Sequence, residues 1–410
     1  MRDTTLLRRL LGVVCTRVLR VRMEEVGLVV EVAPTLRRPR CGGCGRRAPG
    51  YDRSGVRRWR HLGLGALRIW LEYAPRRVEC RTCAVRVERV PWADQGSLFT
   101  RPLEETVAYL AQGMDKTRVT SLMGISWQTV GTIVERVVAR GLEASRLKDL
   151  RSIGVDEFSY RKRHRYITVV VDHEKRRVVW ACEGHGAQAL RRFFGELGAE
   201  GCARLATVTL DLAAGYTQAV REAAPNATIS YDCFHVQGLA SKAVDEVRRA
   251  EVRQAESPED KRAVKSSRFS LLRSPWNLTL RDEQKLREIE DGNRRLYRAY
   301  LLKEALRAAL ADTNPTRAMG SLREWLAWAS RSALKPFVRT ARTIRQHLAG
   351  VAAYLASRMT NGLVEGINNK LRVVARRAYG FHSADALIAM LYLTCGGIPL
   401  SPPLPSPTPV

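Results

Sequence analysis

The chain has 410 residues, with 69 Lys or Arg against 41 Asp or Glu and a formal net charge of +28 at pH 7. This length allows two or three domains of roughly 150 residues, with ample material for a buried core. So large a basic excess argues against a secreted metabolic enzyme and favours a polyanionic partner, with nucleic acid ahead of a membrane surface.

The sequence carries no signal for export or membrane insertion. No stretch approaches 18 uninterrupted apolar residues, and Arg8 and Arg9 break the apolar run at the N-terminus. The nine cysteines are an odd number, and four of them form two CxxC pairs. Without export signals, this favours metal binding in a reducing compartment over disulfides, so the expected location is the cytoplasm.

Changes in composition divide the chain into consecutive parts. We predict an N-terminal module rich in Arg, a short helical region, and a C-terminal α/β domain interrupted by a helical stretch rich in Arg, Ala and Leu. The Pro-rich end is predicted to be disordered because it cannot form a regular ladder. The boundaries are 1–100, 101–150 and 151–398, with the helical stretch at about 237–356 and the tail at 399–410.

The two CxxC pairs predict a metal site. Each pair presents two thiolates from one tight turn, and two such turns close a tetrahedral Zn²⁺ site. We predict one structural Zn²⁺ bound by Cys41, Cys44, Cys80 and Cys83. Free thiols or a redox pair are the alternative, and His61 is a weaker candidate ligand. The other cysteines are predicted to be small core residues: Cys15, Cys182, Cys202, Cys233 and Cys395.

Residues 116–140 have the pattern of a helix-turn-helix. A short amphipathic helix at 116–123 is ended by Gly124, and Ser126 is placed to cap a second helix at 127–140. Apolar residues of the second helix would face the first. Its outer face carries the residues predicted to contact DNA in the major groove: Ser126, Gln128, Thr129, Thr132 and Arg136. An ordinary helical hairpin is the alternative.

From residue 152 onward, the pattern predicts three antiparallel strands, a helix and a fourth strand, which is the order of a ribonuclease H-like sheet. The predicted strands are 153–156, 165–171, 177–181, 203–210 and 228–231, with helices at 187–197 and 215–224. In such a fold, carboxylates come from the first strand, the end of the fourth and a later helix, here Asp156, Asp211 and Glu365. Two Mg²⁺ ions ~3.5–4 Å apart need several carboxylate oxygens that converge.

Each carboxylate also has a purely structural interpretation. An Asp at a strand end is commonly a turn former or a cap, and Glu365 near a helix start complements the helix dipole. Asp172 and Glu174 are predicted to be solvated turn residues between two strands. Glu157 directly follows Asp156, so strand alternation sends it to the opposite face.

The helix that carries Glu365 is predicted to begin after Asn361 as its N-cap and to stop near Gly380. Beyond the acid it is polar and basic, which suits contact with a DNA backbone. The residues concerned are Asn368, Asn369, Lys370, Arg372, Arg376 and Arg377.

These residues resemble the ISL3 insertion-sequence family, a group of bacterial DDE transposases. The motifs are GVDEFSYRKRHRY at 154–166, the segment 211–216, YDCFHV at 231–236 and NGLVEGINNKLRVVARRAYGF at 361–381. The last is the most specific, because its NG..EG.N pattern followed by basic residues is hard to reach by chance. The resemblance extends from the CxxC pairs to about Gly397.

The resemblance implies that Asp156, Asp211 and Glu365 are the catalytic residues and bind two Mg²⁺ or Mn²⁺ ions. It also implies that residues 237–356 are an all-helical insertion within the ribonuclease H-like domain. The fold class is therefore α/β, with that domain preceded by a zinc-binding β module and a helix-turn-helix.

Asp232 is an alternative to Asp211 as the second catalytic acid. Strand order favours Asp211, because Asp232 follows a fifth strand. The Asp232-x-x-His235 pattern is similar to an auxiliary motif of related transposases, so both residues are assigned an auxiliary role. One departure concerns Arg372, which stands where the family pattern has Lys; the charge is kept, but the guanidinium binds phosphate with a planar fork.

The implied function is that of a DNA transposase. It would bind the terminal inverted repeats of an insertion sequence, hydrolyse the phosphodiester at the element ends and join the 3′-OH to target DNA. The implied partner is double-stranded DNA, bound by at least a dimer, and the implied location is the bacterial nucleoid. The alternatives are a zinc-containing transcriptional regulator without catalysis, which leaves the acids unexplained, and a nuclease that cuts without joining.

Overall fold

The structure is a computed structural model that describes residues 3–161, 165–378 and 380–400. The predicted Pro-rich tail lies outside the described residues from residue 401 onward. The chain divides into two compact units. The first runs to Glu143 and also includes 377–381 and the residues from Ala389 onward, and the second comprises the remainder.

The first unit is built from a helix, two β-sheets and a helical region. A four-stranded sheet has the order β1-β2-β5-β4, and a three-stranded antiparallel sheet has the order β3-β6-β7. The elements are α1 (Asp3–Leu11), β1 (Thr16–Glu24), β2 (Gly27–Pro34), β3 (Gly50–Arg53), β4 (Arg57–Leu64), β5 (Leu67–Tyr73), β6 (Arg76–Cys80) and β7 (Ala84–Val87).

Alternation of apolar and polar residues explains the larger sheet of this unit. In β5, for example, Ile69, Leu71 and Tyr73 are buried while the residues between them are half-buried. Trp92 fills the core beneath the sheet, with edge-on ring contacts to Trp59 at 5.6 Å and to Tyr73 at 5.5 Å between centroids. The sheet therefore has one apolar face with a core of its own.

Three helices follow these sheets: α2 (Arg101–Gly113), α3 (Lys116–Met123) and α4 (Trp127–Gly141). They pack against one another. The last two confirm the predicted helices at 116–123 and 127–140 almost to the residue. Gly124 has φ +57°, a left-handed conformation that explains why glycine ends α3.

The second unit is organised on a five-stranded sheet with the order β10-β9-β8-β11-β12. The β8–β9–β10 part is antiparallel, and β11 pairs in parallel with both β8 and β12. The elements are β8 (Ser152–Arg161), β9 (Arg165–Asp172), β10 (Arg177–Glu183), α5 (Gly186–Arg204), β11 (Thr207–Leu210), α6 (Ala214–Ala223) and β12 (Thr228–Tyr231).

Two of the predicted strands differ from the structure by more than two residues at one end. The first does not end at Asp156 but continues to Arg161, where it pairs with β9. The fourth begins at Thr207 and not at residue 203, because α5 resumes after a break at Gly198 (φ +75°) and runs to Arg204. Ala and Glu favour helix in 199–203, whereas only 207–210 has the β-branched alternation of a strand.

Helices make up the rest of the unit. Between Cys233 and Ser357 the structure describes helices and no strand, in agreement with the helical pattern at 237–356. These helices are α7 (Cys233–Gln254), α8 (Pro258–Ser266), α9 (Arg268–Leu272), α10 (Leu280–Gly292), α11 (Arg294–Ala311), α12 (Pro315–Arg331), α13 (Lys335–Gln346) and α14 (Leu348–Ser357). They are followed by α15 (Gly362–Arg377) and α16 (Ala384–Cys395).

Among the isolated cysteines, the core prediction is wrong for Cys15. It is exposed and has φ +52° in the turn between α1 and β1. Cys182 and Cys202 are buried as predicted, and Cys233 and Cys395 are half-buried. No helix in the described part of the chain has both the length and the apolar character needed to cross a membrane.

Candidate active site

Three aspartates lie at the same level on neighbouring parallel strands. Thr209 of β11 pairs with Gly154 of β8, so Asp211 and Asp156, each two residues further on, are adjacent. Leu210 pairs with Tyr231 of β12, so Asp232 follows at the same level beside Asp211. The sheet register therefore aligns three carboxylates from distant parts of the chain.

The same register places these carboxylates on one face of the sheet. Thr209 Oγ1 donates to Asn361 Oδ1 at 2.6 Å, and Ser230 Oγ donates to the Met359 carbonyl at 3.1 Å. Because side chains two residues apart share a face, Asp211 and Asp232 point towards the segment that leads into α15. This is how the sheet and the helix that carries Glu365 come together.

Asn361 fixes the start of α15 by a mechanism that the sequence did not predict. Its side chain is buried and spans two strands, because Nδ2 donates to the Val155 carbonyl at 2.9 Å and Oδ1 accepts from Thr209. Its backbone carbonyl accepts the Glu365 N–H at 2.9 Å, so Asn361 stands at the predicted N-cap position, while its side chain binds the sheet. A Cβ at Gly154 would lie 2.5 Å from Val364 Cγ2, so this close packing requires glycine.

The start of α7 places Asp232 and His235 next to Glu365. One oxygen or nitrogen atom each of Asp232, His235 and Glu365 lie within 4.8 Å of one another. Asp232 is buried and caps α7, since its Oδ1 accepts the Phe234 N–H at 3.3 Å. The two residues assigned an auxiliary role are therefore in direct reach of the predicted third acid.

Asp156 is the most electrostatically perturbed acid of the site. Burial raises its pKa to about 6; the Glu157 backbone N–H opposes this shift, and the negative charges of Asp211 and Glu365 add to it. Oxygen ligands of this kind, together with a histidine nitrogen, are suitable donors for a hard divalent cation, and a cation would relieve the repulsion among the acids.

The sequence prediction missed the role of Asn368. It was grouped with the DNA-facing residues of α15, but it is buried and its Nδ2 donates to Asp156 Oδ2 at 2.7 Å. The signal was present, because Asn368 is three residues after Glu365 and hence on the same face of the helix. Four of the other basic and polar residues of this segment are exposed, as contact with DNA requires: Asn369, Lys370, Arg372 and Arg376.

The remaining acids differ from one another. Glu157 lies away from Asp156, as strand alternation predicts, and its Oε1 accepts the Gly186 N–H at the start of α5 at 3.1 Å. Glu174 is exposed as predicted. Asp172 is not solvated; it is buried, and its Oδ1 accepts the N–H groups of Glu174 and Lys175 at 2.9 and 3.1 Å, which stabilises the turn.

Replacing Asp156 with asparagine is expected to stabilise the protein when no divalent ion is added at the active site. A carboxyl with a raised pKa favours folding only while protonated, so at pH 8 the wild type pays for a buried charge that Asn lacks. We expect a gain on the order of 1–3 kcal/mol at pH 8. The gain should shrink as the pH falls through about 6. Thermal melts at pH 5 and pH 8 measure it, with Glu174→Gln as an exposed control, and a gain that is independent of pH would contradict this account.

The four paired cysteines converge as predicted. Their sulfur atoms all lie within 4.8 Å of one another, and Cys44 Sγ is 3.5 Å from Cys80 Sγ. Tetrahedral Zn²⁺ with Zn–S bonds of about 2.3 Å needs sulfur–sulfur distances of roughly 3.8 Å, so the cluster fits this ion. Backbone N–H groups of Thr82 and Cys83 lower the pKa of Cys80, which favours the thiolate.

Local packing shows why the first cysteine turn contains glycines. A Cβ at Gly42 would lie 2.4 Å from the Val87 carbonyl oxygen, and one at Gly43 would lie 3.1 Å from Cys83 Sγ. His61 is outside the cysteine cluster. It is buried in β4 with Nδ1 2.8 Å from Thr100 Oγ1, and burial lowers its pKa to about 4.

The helix-turn-helix has the predicted caps. Ser126 Oγ accepts the Thr129 N–H at 3.2 Å at the start of α4. Arg60 of β4 donates to the carbonyls of Met123 and Gly124, at 2.6 Å each, and so attaches the turn to the sheet. On the outer face Gln128 and Thr132 are exposed and Thr129 is half-buried.

Arg136, which was predicted to lie on the outer face and contact DNA, is half-buried and bound within the protein. Its guanidinium donates to Glu104 of α2 and, at 2.8 Å, to Ser97 Oγ. Glu104 is fully buried, and a buried carboxylate requires a cationic or hydrogen-bonding partner. Arg140 also binds Glu104, at 3.1 Å, so these two arginines hold α4 against α2.

Comparison with known proteins agrees with this arrangement. A family model described as a zinc-finger of the transposases IS204/IS1001/IS1096/IS1165 matches residues 37–83. A model of the helix-turn-helix domain of transposase family ISL3 matches residues 88–138, and a model described as a transposase, the DDE domain of ISL3 elements, matches residues 153–391. The order of these three domains is that of an insertion-sequence transposase.

Relatives resemble the chain over nearly its whole length. It is 38% identical to the transposase for insertion sequence element IS1557 of Mycobacterium tuberculosis, over 97% of this chain and 96% of that protein. It is 29% identical to the transposase for insertion sequence element IS1001 of Bordetella parapertussis, over 87% and 89% of the two chains. The chain belongs to the ISL3 family of transposases.

The family defines the activity and the partner. The chain is a metal-dependent DNA transposase that contains a zinc-ribbon domain, and its helix-turn-helix and transposase domains bind DNA. The alternative of a transcriptional regulator without catalysis is not favoured.

Proposed function

We propose that the second unit is a ribonuclease H-like domain with a helical insertion at about 237–356, and that Asp156, Asp211 and Glu365 are its catalytic residues. The observation that carries this proposal is the strand register, which aligns Asp156 with Asp211 on the face covered by the helix of Glu365. The raised pKa of Asp156 supports it, because Asp211 and Glu365 both contribute to the shift.

The metal ions are proposed as two Mg²⁺ or Mn²⁺ bound by these three acids. When bound, such ions polarise a phosphodiester, activate the attacking oxygen and stabilise the leaving oxygen. Asn368 orients the Asp156 carboxylate through its 2.7 Å hydrogen bond. Asp232 and His235 have an auxiliary role beside Glu365, in contact with the metal environment or with DNA.

The DNA is held by separate parts of the chain. The zinc ribbon and the outer face of α4, with Ser126, Gln128, Thr129 and Thr132, would read the terminal inverted repeats. The exposed residues of α15 would bind the backbone near the cleaved bond: Asn369, Lys370, Arg372 and Arg376. We propose domain bounds of 1–100, 101–150 and 151–398 and a location at the nucleoid.

The reaction sequence has two steps. Water hydrolyses the phosphodiester at the element end and leaves a 3′-OH, and this 3′-OH then attacks a phosphodiester of the target DNA in line with the bond that breaks. Positioning and charge neutralisation supply the catalysis, without a covalent protein intermediate. Coordinated cleavage of both ends requires two active sites, so at least a dimer is proposed on DNA.

The test is a cleavage and joining assay with the inverted repeats that flank the coding sequence. Purified protein with labelled end duplexes and Mg²⁺ or Mn²⁺ is expected to cut at the element boundary and to join the 3′ end to a plasmid. Binding without metal-dependent cuts would overturn the catalytic assignment. Cuts without joined products would instead favour a nuclease.

A further inference from the structure

An exposed aromatic side chain borders the acidic cluster. Phe234 is 65% exposed, although it lies between Asp232, which is buried, and His235, which is half-buried. The backbone N–H of Phe234 donates to Asp232 Oδ1 at 3.3 Å. The ring centroid of Phe234 is 6.0 Å from that of His235. The ring therefore lies beside His235 at the edge of the cluster, while most of its surface is open to solvent.

The exposure follows from the position of Phe234 on α7. The residues of this helix that face the core include Val236, Ala240 and Val244, all of which are buried. Phe234 precedes Val236 by two residues, about 200° around the helix, and so lies on the side away from the core. Burial of this exposed apolar surface by a ligand would contribute favourably to the free energy of binding.

DNA is the ligand that reaches this place. A phosphate that is cleaved at the acids brings the adjoining bases with it, and Phe234 lies beside His235, whose ring nitrogen is within 4.8 Å of a Glu365 carboxylate oxygen. Aromatic side chains stack on the faces of bases that have left the double-helical stack.

We propose that Phe234 stacks on a nucleobase next to the cleaved phosphate, a base freed from its pair at the element end. Stacking on Phe234 would hold the end open and keep the phosphate at the acids. The inference rests on the proposed function, because it takes these acids as the cleavage site.

The experiment is a double-mutant cycle in which one change is made in the protein and the other in the DNA. Binding of a single-end duplex is measured by fluorescence anisotropy without added divalent ion, for the wild type and Phe234→Ala. The duplexes have either intact bases or one abasic position at each site flanking the cleaved phosphate. We expect Phe234→Ala to weaken binding of the intact end about 10- to 100-fold. At one abasic position this difference should disappear.

Further variants separate stacking from a structural effect. Phe234→Tyr should restore binding and Phe234→Leu should not, because leucine keeps apolar area but has no aromatic face. Phe269 is 66% exposed on α9, so Phe269→Ala is the matched control and should change binding less than twofold. Circular dichroism and thermal melts check that each variant is folded.

The outcomes distinguish this inference from the proposed function. If the wild type cuts ends but Phe234→Ala binds every duplex as the wild type does, the stacking proposal is overturned. The same follows if the loss persists at every abasic position, or if Phe269→Ala loses as much. If the wild type binds ends but does not cut them with Mg²⁺ or Mn²⁺, it is the proposed cleavage site that fails.

Discussion

Replacing Asp211 with asparagine is expected to reduce end cleavage by on the order of 10³-fold while end binding stays within a few-fold of the wild type. The substitution removes one negative charge from a site whose acids are proposed to hold divalent ions together. Asp211 accepts the Ala213 N–H at 3.0 Å. An asparagine side-chain oxygen can accept the same bond, so the loop after β11 should tolerate the change. Cleavage is measured on labelled ends and binding on the same duplexes without divalent ion.

The comparison with Asp232→Asn makes this a test of the second acid. Asparagine caps a helix about as well as aspartate, so the start of α7 should keep its structure. We expect a loss of about tenfold, smaller than for Asp211, because an auxiliary group tunes the site without being required to hold the ions. The proximity of Asp232 to Glu365 makes the opposite ranking a real alternative. Normal cleavage by Asp211→Asn with none by Asp232→Asn would transfer the catalytic role to Asp232. Glu174→Gln is the control for removal of an exposed carboxylate.

The second large effect is expected at the zinc ribbon. Cys80→Ser should abolish zinc binding and reduce binding of end DNA by at least about 100-fold. Structural Zn²⁺ contributes roughly 10–16 kcal/mol to small zinc domains, which is comparable to the whole stability of a typical domain. The ribbon has only a small apolar core of its own, made largely of the cysteines with Ala48 and Val78.

The control is Cys15→Ser, because Cys15 is exposed and lies outside the cluster. Zinc content by mass spectrometry should be one ion per chain for the wild type and for Cys15→Ser, and none for Cys80→Ser. Retention of zinc or of end binding by Cys80→Ser would contradict a structural Cys₄ site. Cleavage of short nonspecific duplexes at high protein concentration should be affected less, since the acids belong to the other unit.

Local sequence pattern predicted the elements well where a single periodicity determined them. The two helices of the helix-turn-helix are correct because Gly124 and Ser126 are strong signals at the points where one helix ends and the next begins. The succession of three antiparallel strands, a helix and further strands along the second unit was also predicted, since hairpins and strand spacing leave few alternatives. The four cysteines converge as predicted. This was predictable because two CxxC pairs typically supply the four ligands of one structural Zn²⁺.

Errors arose where a side chain finds its partner far along the chain. Arg136 is on the outer part of a local helical wheel, but Glu104 is buried nearby in space and needs its charge. Asn361 was assigned to its own helix, whereas its side chain binds Thr209 and Val155. Asn368 could not be paired with Asp156 before the fold was known. Periodicity predicts which face of a helix or strand a residue lies on. It does not predict which polar group from a distant part of the chain that residue will contact.

The helices between Cys233 and Ser357 have a consequence for synthesis of the protein. Asp232 and His235 stand just before and within their first turn, and Glu365 follows shortly after the last of them. The centre can therefore be completed only when the ribosome has made this entire stretch and it has folded back onto the strands, a slow step of high contact order. A chain that terminates early, or is still being translated, lacks Glu365, the proposed third catalytic acid. Premature products of the gene should thus be unable to break the chromosome of the cell that makes them.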